Sequence, residues 1–202
     1  MDRRKTYWRL IIVAIIGMVL TLVYLLPLEL DLIAPVILLN KLIFILAVYY
    51  SMLLCEEKQT KVLHYGYLGI LGLLFLKDLA IYGCSLFEIE MPLDISTSAL
   101  FYVTYGVTIV LLALLLIKGS KGGRLHWMFL GALLYQIQDL TKILLMRYNS
   151  SFGMWTITHL ETVNYITVAF ELLWIIGAII MGVRGLAKPE EKAVKWEEEE
   201  IV

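Results

Sequence analysis

Apolar residues fill this chain in long blocks, with polar residues gathered in the short gaps between them. Six blocks are long enough to cross a bilayer, which takes about 20 mostly apolar residues at 1.5 Å rise each. They cover residues 8–27, 32–55, 62–84, 98–118, 125–147 and 158–183. The gaps carry turn or charge chemistry: Pro27 to Asp31, Glu56 to Lys61, an acidic stretch around Pro92, a glycine-rich break from Lys118 to Arg124, and Asn149 to Gly153. Breaks this short predict antiparallel neighbouring helices. The expected fold class is therefore all-α, a polytopic transmembrane bundle of six spans over residues 1–186. An acidic, disordered cytoplasmic tail is expected over 187–202.

Composition supports this reading. Of 202 residues, 60% are hydrophobic and 17% charged, too little polar surface for a soluble domain of this length. The net charge of −1 and the lack of any basic, aromatic-interleaved patch speak against nucleic acid as a partner. The first block follows Arg3, Arg4 and Lys5 as a signal peptide would. It runs into Leu25-Leu26-Pro27 without a small-residue cleavage site, so it reads as a retained helix.

Lysine and arginine orient the bundle. With the N-terminus in the cytoplasm, 13 of the 17 fall on the cytoplasmic side, Arg147 stands alone opposite, and Lys41, Lys77 and Lys142 lie within spans. That asymmetry satisfies the positive-inside rule and predicts both termini in the cytoplasm, with the cell membrane as location. The third and fifth spans also begin alike. Leu63 to Leu71 and Leu125 to Leu133 share five of nine residues without gaps, in a register that sets Lys77 opposite Asp139. The match predicts a partial parallel repeat of helical hairpins, spans three and four against five and six; chance in a leucine- and glycine-rich chain is the alternative. Gly66, Gly69 and Gly72 in the third span predict close helix packing there.

Chemistry is confined to the polar residues inside the spans: Lys41, Lys77, Asp78, Asp139, Lys142, Glu161, Asn164 and Glu171. A charge at bilayer depth costs about 2.5–3.5 kcal/mol on insertion scales, so such residues pair, line a wet cavity, or both. Asp139 and Lys142 are three apart on one helix face and can pair. Lys77 and Asp78 are adjacent and point about 100° apart. Asn164 and Glu171 are seven apart and nearly eclipsed. Asn40 beside Lys41, and Gln136 and Gln138 beside Asp139, extend the polar set. Counted from the span ends, all but Glu171 fall in the outer half.

Two readings stay open: a dry ion-pair network that fixes helix register, or an outward-facing cavity for a small polar or cationic solute. The second makes Asp139 and Glu171 the coordinating or proton-exchanging groups, with Lys77 or Lys142 balancing charge. Beyond the lipid bilayer and such a solute, the expected partners are a membrane subunit or a second copy of the chain. A third reading, a membrane-embedded enzyme, rests on His159 two residues from Glu161. No HExxH, GxSxG or Walker-type loop accompanies it, and no cofactor, catalytic residue or metal ligand is assigned. His64 and His126 are expected at the cytoplasmic interface. Cys55 and Cys84 end adjacent spans on opposite faces, too far apart for a disulfide. In size and span count the layout is similar to the substrate-capturing subunits of energy-coupling-factor vitamin transporters. The alanine-x-x-x-alanine docking pattern of that family is missing, since no alanine stands four residues from Ala14, so none of its site residues carries over.

Overall fold

The computed structural model describes residues 2–23, 25–26, 30–55, 57–87, 99–119, 126–149, 151, 154–155 and 159–187. Among these residues the chain is all helical. The six helices are α1 (Arg3–Val23), α2 (Leu30–Leu54), α3 (Lys58–Leu86), α4 (Ala99–Gly119), α5 (His126–Tyr148) and α6 (Leu160–Ala187). Four contain stretches long and apolar enough to cross a membrane: Arg3–Val23, Ala34–Leu54, Lys58–Leu86 and Thr162–Ala187. In α4 the apolar stretch is the shorter Tyr102–Lys118. In α5 the stripe of Gln136, Gln138, Asp139 and Lys142 lowers the hydropathy. The tail beyond Ala187, the acidic segment around Pro92 and the glycine-rich break before His126 lie outside the described residues.

Helix ends fall within a few residues of the hydrophobic blocks. At its start α1 runs one turn further than its block, because Asp2 accepts the Lys5 backbone N–H on Oδ1 at 3.3 Å and caps the helix. That N–H bond holds the exposed Asp2 carboxyl below its ordinary value of 3.8. The same helix ends at Val23, four residues before Pro27, and passes into turns closed by the Leu25 and Leu26 amides.

Each helix packs on its neighbours in sequence, and α6 closes the ring by packing on α1. The ring is unevenly tight. At the α5–α6 crossing, a Cβ on Gly131 would overlap the Trp174 backbone, and one on Gly177 would overlap the backbone of Trp127 and Met128. Glycine is what permits two helix backbones to meet this closely. The contact continues onto α1, where Gly182 lies against Ile11 and Gly185 against the Tyr7 ring.

The glycines of α3 behave differently. Gly69 and Gly72 have nothing within 4 Å of where a Cβ would be, and Gly66 meets only a Leu111 methyl at 3.9 Å. The close packing expected of them is found on α5 and α6 instead. Spacing marks a smooth helix face, and it does not tell which face a neighbour covers. The matched glycines of the repeat, Gly69 and Gly131, thus sit in unlike surroundings.

Between the helices, half the length of the bundle is apolar. Phe44 of α2 meets Tyr67 of α3 edge-on at 6.3 Å and Trp174 of α6 at 4.7 Å. Tyr67, Phe129, Leu112 and Leu115 are fully or almost fully buried around them. His64 is part of this core. It is fully buried, 5.3 Å from the Phe129 ring, with Nδ1 2.8 Å from the Thr60 carbonyl oxygen and Nε2 without a partner. The neighbouring helix that brings Phe129 over it covers it.

Candidate functional site

The other half of the bundle, toward the end where α3 stops and α4 begins, holds a polar layer to which all six helices contribute. Three groups compose it. In the first, Asp78 of α3 is shared: Oδ2 pairs with Lys41 of α2, and Oδ1 lies 3.3 Å from Lys77 of the same helix. The 100° between Lys77 and Asp78 is bridged because the carboxylate offers one oxygen to each lysine. In the second, Asp139 of α5 accepts from Lys142 at 2.9 Å on Oδ1 and from the Tyr105 hydroxyl of α4 at 2.6 Å on Oδ2. This is the i, i+3 pair expected from spacing, with a neighbouring helix added.

The third group joins α1, α2 and α6. Asn40 Nδ2 donates to the Glu171 carboxylate at 2.7 Å and to the Thr21 hydroxyl oxygen at 3.1 Å. Thr21 is fully buried and Asn40 is 2% exposed. Among the described residues Glu171 makes no ion pair, because the lysines of the layer reach Asp78 and Asp139.

The layer is neither sealed nor fully open. Side chains of Asp78, Asp139, Lys77 and Lys142 are 18–24% uncovered, and Lys41 is 45% uncovered. Two acceptors within it, Asn40 Oδ1 and Gln138 Oε1, are buried without a hydrogen-bond partner. Buried polar atoms normally find partners, so these oxygens mark places where a donor belongs. Directly inward, Phe44 lies one turn below Asn40 and Trp174 one turn below Glu171, so the aromatic core forms the floor of the layer.

Of the residues singled out in the sequence, the fold brings together Lys41, Lys77, Asp78, Asp139, Lys142 and Glu171. Asn164 stays apart. It shares the Glu171 face but lies two turns, about 10 Å, further toward the helix start, beyond the end of α1, and its side chain is exposed. The Glu161 side chain lies outside the described residues. His159 stacks on Trp155 at 4.9 Å with Nδ1 3.0 Å from the Trp155 carbonyl oxygen.

Thr21 and Tyr105 were not legible as members. A threonine in a membrane helix usually bonds its own backbone four residues back, as Thr108, Thr141 and Thr167 do here, and nothing in the sequence sets Thr21 apart. No known protein family, curated protein or solved structure matches the chain.

Proposed function

We propose that the chain spans the membrane six times with both termini in the cytoplasm, and that it binds or translocates a small polar or cationic solute from the outer side. The observation that carries this reading is the polar layer: charged and hydrogen-bonding groups from six helices meet at one depth, partly uncovered, above an aromatic floor. Ion pairs buried only to fix packing gain little, since desolvation offsets the Coulomb attraction. If the uncovered surface of the layer faces a water-filled opening and not lipid, its lysines and carboxylates stay available to a solute. Asp139 and Asp78 would face the cationic part of the solute, and Lys142 and Lys77 would hold the layer near neutrality. The positive-inside bias sets the direction, and α4 and α5 span as partners of the more apolar helices, with their polar faces turned inward.

The experiment is labelling from outside with a membrane-impermeant thiol reagent, using Asp78→Cys and Asp139→Cys in a background lacking Cys55 and Cys84. A Lys58→Cys control reports the cytoplasmic side. Labelling at 78 and 139, with 58 protected, is the expected result. Protection of 78 and 139 in correctly folded protein would refute an outward-facing wet site.

A second reading is favoured by one observation, that Lys41, Lys77 and Lys142 all have carboxylate partners. On that reading the chain is a structural or assembly subunit whose charges fix register. It calls for a co-purifying membrane partner or a stable oligomer, and for charge variants that fail to assemble rather than fail to bind.

A further inference from the structure

We propose that the N-terminal end of α1 binds the phosphate of an anionic phospholipid through Arg4, Lys5 and Arg9, and that the apolar face beyond them carries its acyl chains. The occupant is a lipid of the leaflet in which α1 begins, and the assignment needs only that α1 crosses a membrane.

Three observations meet at this end of the helix. The first is charge placed against the helix itself. Arg3, Arg4, Lys5 and Arg9 stand in the first two turns of α1, and the first turn holds no acidic residue. A helix N-terminus carries a partial positive charge, so cations there cost stability and anions add to it. Lys5 and Arg9 also lie one turn apart on one face, where like charges repel. Asp2 offsets one of the four cations, pairing with Lys5 at 3.5 Å.

The second is unmet bonding capacity. Among the described residues the Arg4 and Arg9 side chains make no hydrogen bond or ion pair, and both residues are exposed. The lysines of the polar layer, by contrast, each have a carboxylate. A guanidinium presents a planar fork of donors that fits two oxygens of one phosphate.

The third is shape. At 100° per residue, Arg4, Lys5, Trp8 and Arg9 fall within an arc of about 140°. This arc faces away from the side of α1 that buries Tyr7, Leu10 and Ala14 in the bundle. The same arc continues as a ridge of exposed apolar residues, Ile12, Ile16, Val19 and Leu22. From Ile12 to Leu22 the rise is about 15 Å, half of a hydrocarbon core about 30 Å thick, so the ridge is one leaflet long. Trp8, half exposed between the cations and the ridge, stands where an indole marks the headgroup boundary. Cations, indole and ridge thus follow the order of phosphate, glycerol and acyl chain along a phospholipid. A headgroup of net negative charge suits the two unpaired arginines, whereas the ammonium of phosphatidylcholine would bring a further cation to them.

The test is lipid retention by the full-length protein in a neutral detergent, counted by native mass spectrometry as phosphatidylglycerol or phosphatidylcholine is titrated in. Phosphatidylglycerol is expected to bind saturably and about tenfold more tightly than phosphatidylcholine. Arg4→Ala with Arg9→Ala should abolish the preference. Arg4→Lys with Arg9→Lys, which keeps the charge and loses the fork, should reduce it. This conservative pair also retains the charge that orients α1, and so covers the case in which the alanine pair does not insert. Lys58→Ala with Lys118→Ala removes the same charge from the start of α3 and the end of α4, and should leave the preference intact. Equal retention of the two lipids would overturn the site. Equal losses in the Arg4/Arg9 and Lys58/Lys118 alanine pairs would also overturn it, by reducing it to a general attraction of cations. Full displacement of phosphatidylglycerol by equimolar inorganic phosphate would assign the arginines to a free anion and remove the lipid. A preference that emerges only when Glu197, Glu198, Glu199 and Glu200 are changed to Gln would assign the face to the acidic tail, with the same consequence.

Discussion

The Tyr105–Asp139 hydrogen bond joins two helices inside the polar layer and offers an energetic measure of how wet that layer is. The perturbation is a double-mutant cycle of Tyr105→Phe, Asp139→Ala and the pair together. A hydroxyl donating to a carboxylate contributes about 1.5–3 kcal/mol net when nothing replaces it. At 2.6 Å this bond has the length of a charge-assisted one, so geometry does not weaken it. Solvent does. The Asp139 side chain is 19% uncovered and Lys142 holds its other oxygen, so water can replace the lost hydroxyl in the Tyr105→Phe variant. The expected coupling is then about 0.5–1 kcal/mol, near the average found for hydrogen bonds in a membrane bundle. Reversible unfolding in mixed detergent micelles, followed by circular dichroism, measures all four corners of the cycle. Because the bond runs between helices, it is lost when the bundle comes apart even if each helix persists. A coupling of about 2 kcal/mol or more would refute the reasoning, since it would show that neither water nor another partner replaces the lost hydroxyl.

Two further outcomes follow from packing and capping. Gly131→Ala drives a methyl into the Trp174 backbone, which cannot rotate away, and is expected to destabilise by about 1–3 kcal/mol. Gly69→Ala enters open space and should stabilise by about 0.5–1 kcal/mol through helix propensity; equal effects of the two changes in the same unfolding assay would show the crossing to be misplaced. At the N-terminus, the Asp2 carboxyl is lowered by its bond from the Lys5 amide, so the capping contribution is complete above the unfolded-chain value of 3.8 and disappears as pH falls through the lower folded value. Following the Lys5 amide by NMR during acid titration should place its midpoint below 3.8, and Asp2→Asn should remove the titration.

Much of the architecture could be read from the chain because the strongest signals in a membrane protein are one-dimensional. A block of apolar residues fixes a helix and its length, and a charge within the block fixes the depth at which polar partners must be sought. Asp139 and Lys142 could be paired on spacing alone. Rotation of each helix was harder to read. Asn40 and not Asn164 meets Glu171, and spacing along α6 alone could not tell which asparagine of the chain would turn toward it. Neutral partners such as Thr21 and Tyr105 carry no insertion cost that would flag them. The glycines of α3 were conspicuous by spacing and those of α6 were not, although the latter carry the close contact. Crossing points are a property of two helices, and one sequence segment reports only its own face.

The uneven ring also has a mechanical side. Helices α1, α5 and α6 are locked backbone to backbone and glycine to ring, so they resist shear as one slab. Helix α3 has only 6% of its apolar window covered by the rest of the chain, against 44% for α1 and α6. It carries Asp78 and Lys77 at the edge of the polar layer, held to α2 by the Lys41 ion pair. Its other ties to the bundle include the Phe44–Tyr67 and His64–Phe129 ring contacts and the Lys118–Gln59 hydrogen bond. The load on the bundle is thus carried by packing on one side and by polar and ring contacts on the other.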